Sequence, residues 1–347
     1  MTAAALVRSR TLRTGLRSIR PRRDMGAVAE LIETAFVGQL DTDGQRMVRE
    51  MRSLGKLGWL GWLISKFILP PFANPHGYVW EEDGRIVGSA SLIPVEHFPR
   101  RWVLANVAVY PEYRRRGIAR ALVMSTIDKA IDLNARTLML QVRSSQQGAL
   151  HLYESLGFHT YSRRTVWRRP PVHTKPEHPQ GTPIRKRSPE EWHAQWTLAN
   201  RLHPEGLVWP FPLSPNTFRP KGVSQVLSDR SGRHWIWYEQ GRLLGSLSAR
   251  FLHSRGNWRL ILMALPEERG RVEGPMVAAG LAALPRRSVV VLDYAPGKAD
   301  ERFIELGFQP KDTFVWMGMD LDSELRKSLP AGVDNVSLSK ELGEVGR

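Results

Sequence analysis

Apolar positions along this chain change their period several times. They mark a short strand at residues 16–20, after which Ala27, Leu31, Ile32 and Phe36 recur at helical spacing behind Asp24, which reads as a helix cap. Residues 41–72 form a second helical stretch ending in a Trp-rich run, LGWLGWLISKFILPPF. Residues 78–82 and 85–92 flank Asp83-Gly84, a strong hairpin turn. A strand at 102–110, a helix at 118–133 and a buried strand at 137–142 follow. A second helix at about 145–156 stops at Gly157, and a last strand covers 161–168. This succession predicts an α/β fold (α+β in character), with a mixed, mostly antiparallel sheet flanked by helices.

The pattern then restarts. Residues 170–183, PPVHTKPEHPQGTP, are Pro-rich and polar and read as a linker. Beyond them EQGRLLGS at 239–246 echoes EDGRIVGS-like positions at 82–89, an offset of 157. Leu306-Gly307-Phe308 echoes Leu156-Gly157-Phe158 at an offset of 150, and Val315-Trp316 echoes Val166-Trp167. Strands at 259–265 and 289–293 and a helix at 296–306 lie between. Ordered matches of this kind mark a diverged duplication. The expected organisation is a flexible basic arm at 1–14, a first domain at 15–169, the linker at 170–183, a second domain at 184–321 and a polar tail at 322–347.

Composition narrows the chemistry. At 347 residues the chain has room for two cores, and with no cysteine it holds no disulfide, thiolate metal site or cysteine nucleophile. No metal is expected, and a cytoplasmic location fits. The Trp-rich run at 57–72 contains Lys66 and a Pro pair and is too short to span a bilayer. The net charge is +16, and residues 1–169, with 26 Lys and Arg against 14 Asp and Glu, carry +12 of it. A basic first half suits a phosphorylated or otherwise polyanionic ligand.

One stretch joins these signals. Residues 107–119, VAVYPEYRRRGIA, run from the end of a buried strand through a basic turn into a helix. The first helical N–H groups lack intrahelical partners, and Gly117 lets a backbone approach an anion closely. With the helix that follows residue 145, this stretch resembles the GNAT superfamily of acyl-CoA-dependent N-acyltransferases. Arg114-Arg115-Arg116-Gly117-Ile118-Ala119 fits the family's phosphate loop, and Ala149, Leu152-Tyr153 and Gly157-Phe158 fit its second signature.

The resemblance implies two tandem GNAT-like domains and acetyl-CoA as co-substrate. It places the amides of Arg115, Arg116, Gly117, Ile118 and Ala119 on the CoA pyrophosphate, with the guanidinium groups, that of Arg114 included, adding charge. It pairs the strand Val107, Ala108 and Val109 with the pantetheine arm, and makes Tyr153 the proton donor to the departing thiolate. Gln146 stands where the family often has Asn, at the pantetheine contact. The general base is open among Glu96, His97 and a water relayed by Asn106. In the second copy the 157 offset puts Arg271, Val272, Glu273, Gly274, Pro275 and Met276 on the loop and Phe303 at the tyrosine position, so that domain is expected not to catalyse.

The resulting expectation is an N-acetyltransferase acting by direct attack in a ternary complex on a small-molecule or peptide amine. The alternative is a non-catalytic acyl-CoA sensor or a basic nucleic-acid binder on the same scaffold; no nucleic-acid motif supports the latter.

Overall fold

A computed structural model of the chain describes residues 14–38, 42–54, 76–95, 98, 100–203, 213–220, 232–252 and 256–322. The Trp-rich run, Glu96 and His97 lie outside the described residues. The chain divides into two compact units. Unit 1 comprises Met1–Leu140, Glu154–His159 and Gly318–Arg347; unit 2 comprises Gln141–Tyr153 and Thr160–Met317.

In unit 1 the strands β1 (Gly15–Ser18), β2 (His76–Glu82), β3 (Arg85–Pro94), β4 (Arg101–Val109) and the start of β5 (Thr137–Arg143) follow one another across the sheet. Pairing is antiparallel from β1 to β4 and parallel between β4 and β5. The β2–β3 hairpin turns on Asp83 and Gly84, both at positive φ (50° and 80°), as its tight turn demands. Helices α1 (Pro21–Ala35) and α3 (Ile118–Asp132) pack on β3, and α2 (Thr42–Leu54) packs on α1. Val28, Leu31, Val87, Leu92, Leu122 and Val123 fill the core.

The first helix starts earlier than its apolar spacing implied. Pro21 occupies the first turn, where its missing N–H costs nothing. Asp24 therefore lies inside the helix, and its carboxylate reaches back to the Arg20 N–H at 2.7 Å. Arg17 grips the same buried carboxylate through two bonds of 2.6 and 3.0 Å, so removing Arg17 would strand a buried charge at about 3–5 kcal/mol.

In unit 2 the strand order is β6 (His159–Arg169), β11 (Val290–Tyr294), β10 (Asn257–Ala264), β9 (Arg242–Leu252), β8 (Arg233–Glu239) and β7 (Ile184–Lys186). β12 (Gln309–Asp320) bonds to β6 through Thr313 and Thr165. Its helices are α4 (Gln147–Glu154), α5 (Trp192–Leu202), α6 (Pro215–Phe218), α7 (Glu273–Ala283) and α8 (Asp300–Glu305), the last shorter than the 296–306 expected from periodicity. Trp235, Leu247, Met276, Val277 and Phe303 belong to one buried cluster. The strand that closes the first sequence repeat, β6, pairs antiparallel with β11 of the second, from Thr165↔Tyr294 to Arg169↔Val290. The compact units and the sequence repeats thus differ in where the end of β5, α4, β6 and the end of β12 belong. Among the described residues no helix is long and apolar enough to cross a membrane.

Candidate active site

The end of β4 is shaped by an irregularity that its apolar sequence hides. β3 and β4 pair in one register at Ser91↔Ala105 and in another at Ser89↔Ala108. Asn106 and Val107 together face one residue of β3, which is a β-bulge. Asn106 takes φ 54°, a left-handed conformation that Asn tolerates better than most residues. Two buried serines hold it: Ser89 Oγ donates to the Asn106 carbonyl at 3.0 Å, and Asn106 Nδ2 lies 3.4 Å from Ser91 Oγ. β4 pairs with β5 only from Arg101↔Thr137 to Val103↔Met139, so Val107, Ala108 and Val109 run beyond that ladder.

The turn after β4 carries two more left-handed residues, Arg115 (φ 64°) and Gly117 (φ 78°). Gly117 is the residue before α3, and a Cβ there would meet nothing within 4 Å. The space over this backbone is open. Ala121 N–H is the first to bond back into the helix, to the Gly117 carbonyl at 3.0 Å. Among the described residues no acceptor meets the amides of Arg115, Arg116, Gly117, Ile118 or Ala119. A row of free N–H groups at the positive end of a 15-residue helix suits a phosphate anion.

The three arginines divide their work. Arg114 Nε donates to the Val109 carbonyl at 3.2 Å, tying turn to strand. Arg116 donates to the Glu112 carbonyl at 3.2 Å, pairs with Glu82 at 3.4 Å and lies over the Tyr113 ring. Arg115 is exposed and has no protein partner among the described residues, which leaves it available to a ligand. Arg120 on α3 bonds Ser155 Oγ at 2.7 Å.

The two remaining residues of the signature belong to unit 2. Gln146 precedes α4, where its carbonyl accepts the Ala149 and Leu150 amides. Tyr153 is buried on α4, and burial pushes its phenol well above the ordinary value, so it keeps its proton at neutral pH. Among the described residues no group of three or more His, Cys, Asp or Glu is placed to hold a metal ion.

In unit 2 the corresponding strand and turn are built differently, and the structure corrects the 157 offset there. Arg271 pairs with Glu239 as Arg116 pairs with Glu82, so Arg271 corresponds to Arg116. Gly270, at φ 94°, matches Arg115. Val272 packs on Gly245 as Ile118 packs on Gly88. The residue lost between Arg271 and Val272 is the counterpart of Gly117. β10 and β9 pair without a shift from Asn257↔Leu252 to Ala264↔Gly245, so the bulge is missing too. The Gly270 amide goes to the Glu273 carboxylate at 2.7 Å, and the Arg271 and Val272 amides go to the Glu268 carbonyl. Glu273 is buried and also accepts from the Tyr294 hydroxyl at 3.0 Å.

Residues 49–158 match the acetyltransferase (GNAT) family. It is similar to the [ribosomal protein bS18]-alanine N-acetyltransferase of Escherichia coli (strain K12), 49% identical over 55 residues, which cover 16% of this chain and 37% of that protein. It is also 35% identical over 82 residues to the L-amino acid N-acyltransferase MnaT of Escherichia coli, covering 23% of this chain and 48% of that one. The chain thus spans less than half the length of these relatives. A GCN5-related N-acetyltransferase from Sphaerobacter thermophilus shares the fold over 88% of this chain and 95% of its own, with a TM-score of 0.54 at 18% identity.

Proposed function

We propose that this protein is an N-acetyltransferase that moves the acetyl group of acetyl-CoA onto an amine by direct attack in a ternary complex. The observation that carries this reading is the open row of amides from Arg115 to Ala119, with left-handed Gly117 at its centre. That row fits the pyrophosphate of CoA, with the unpaired Arg115 adding charge. The end of β4 at Val107, Ala108 and Val109 offers an edge to the pantetheine arm, and the family resemblance assigns Gln146 to the same arm.

In the reaction the amine nitrogen attacks the thioester carbonyl carbon and the C–S bond breaks. The phenol of Tyr153 protonates the leaving thiolate. The amine proton leaves to Glu96, to His97 or to water held beside Asn106. The relatives are named for alanine and L-amino acid acylation, which favours an α-amine as acceptor.

Calorimetry with acetyl-CoA on the full chain and on Gly117→Glu tests the cofactor assignment; equal binding by both, or none by the parent, defeats it. Thiol release is then measured over alanine-terminated peptides and free L-amino acids. Cofactor binding without turnover on any amine would overturn the catalytic reading.

A further inference from the structure

The second unit holds a cluster of cations that the reaction does not use. Ser246, Ser248 and Arg250 alternate along β9 with Gly245 and Leu247, which pack against Met276 and Gly280 of α7. The row of Ser246, Ser248 and Arg250 therefore occupies the face turned away from α7. α5 covers this face: Gln195, fully buried, donates to Ser246 Oγ and to Ser248 Oγ, the latter at 2.8 Å. His234 on β8 sits across from Ser248 in the register, with Nδ1 2.8 Å from Ser248 Oγ. Arg187, whose N–H bonds the His234 carbonyl, extends Nη1 to Gln195 Oε1 and to the Phe218 carbonyl at 2.9 and 2.7 Å.

The charges in this cluster are not balanced. Arg187 Nε is buried without a hydrogen-bond partner. Arg250 is half-buried and has no bond or ion pair among the described residues. Glu191 acts on Arg187, but its carboxylate is bonded to Arg185 and Ser188. A Cβ placed on Gly232 would lie 3.1 Å from His234 Nε2 and 3.5 Å from Arg250 Cγ, so imidazole and arginine stem flank the same spot. Burial and the two arginines push His234 down to about 3, so its imidazole is neutral near pH 7. Desolvated guanidinium donors without a counter-charge are costly unless an anion completes them. At the 157 offset the first copy has Gly77 and Ile93 where His234 and Arg250 stand, so these two side chains are particular to the second copy.

We propose that unit 2 carries its own oxyanion site on this face of β8 and β9, formed by Arg187, His234 and Arg250, for a small molecule bearing a carboxylate or a phosphate. The site is distinct from the turn that has lost its glycine, and it gives the second copy a binding role of its own. Guanidinium groups suit both anions through charge-assisted bonds.

The test is NMR of the histidine ring protons on the full chain, with His234 assigned by its absence in His234→Gln. Inorganic phosphate and acetate are titrated separately against chloride at matched ionic strength. Saturable movement of the His234 resonance by either anion supports the site, and the anion that acts more strongly identifies the preferred group. Arg250→Gln, which breaks no existing bond, is expected to weaken the response at least about tenfold while the rest of the spectrum stays native. No response beyond chloride, or an undiminished response in Arg250→Gln, would overturn the proposal.

Discussion

The first copy bends where the second runs straight. Its β4 carries a bulge at Asn106 and Val107, and its turn carries Gly117; the second copy has one residue fewer at each place. The consequence is electrostatic. In the first copy the amides of the turn are left open, whereas in the second the Glu268 carbonyl and the Glu273 carboxylate take those of Gly270, Arg271 and Val272. Glu273 stands at the start of α7, where a helix favours negative charge, and its hydrogen bond from Tyr294 completes the arrangement. Two single-residue losses therefore separate a turn that can accept an anion from one that supplies its own.

The largest test of this contrast is affinity. Gly117→Glu should place in the first turn the charge that the second already has, and lower acetyl-CoA binding by more than about 100-fold in calorimetry, near the 2.8 kcal/mol such a ratio represents. The parent should bind one acetyl-CoA per chain; a stoichiometry of two would break the comparison. Next in size is turnover. Tyr153→Phe should lower kcat by about 100-fold or more with little change in KM, the range expected when a positioned acid is lost. An unchanged kcat would remove Tyr153 from the chemistry.

Smaller effects fall on stability. Glu273→Ala leaves the Tyr294 hydroxyl and the Gly270 amide without their acceptor, and should cost about 2–3 kcal/mol in urea unfolding while kcat stays at the parent value. Acid should act on unit 2 as well. Burial, reinforced by Arg164 and Arg269, holds His203 near 3, and burial with Arg187 and Arg250 does the same to His234. Between about pH 6.5 and 3 the unfolded chain binds the protons that these two folded histidines refuse. Stability should therefore fall as pH drops through that window, by up to about 1.4 kcal/mol per pH unit for each proton taken up. Replacing both histidines by Gln should flatten that slope; an unaltered slope would assign it to carboxylates instead.

Much of this was legible in the sequence, and the exceptions have a common cause. Periodicity located the hairpin at Asp83-Gly84, the strand before the turn and the helix at Ile118, because each rests on local spacing. The duplication was visible from EQGRLLGS and from Leu306-Gly307-Phe308. What the spacing could not place was the exchange of β6 onto β11, since pairing partners far apart in sequence leave no periodic mark. A fixed offset also carried the comparison past two losses ahead of the turn, one before the strand and one at the bulge, so Glu273 was matched to Arg116 when Arg271 is its counterpart. The row Ser246, Ser248 and Arg250 was present as an alternation in β9, but its surroundings come from Arg187 after β7, Gln195 on α5 and His234 on β8.

The smallest prediction separates backbone from side chain at Asn106. If the bulge acts by turning the end of β4 away from β5, the requirement is for a left-handed residue and not for an amide. Asn106→Gly keeps that conformation available and should retain kcat within about threefold, at a stability cost near 1 kcal/mol from chain entropy. Asn106→Val makes the same φ unfavourable by about 1–2 kcal/mol and should lower both stability and acetyl-CoA affinity as the strand straightens. Steady-state kinetics and calorimetry on the pair decide the matter. A glycine variant that binds acetyl-CoA normally but loses turnover would show that the Asn106 side chain, through its water, takes part in removing the amine proton.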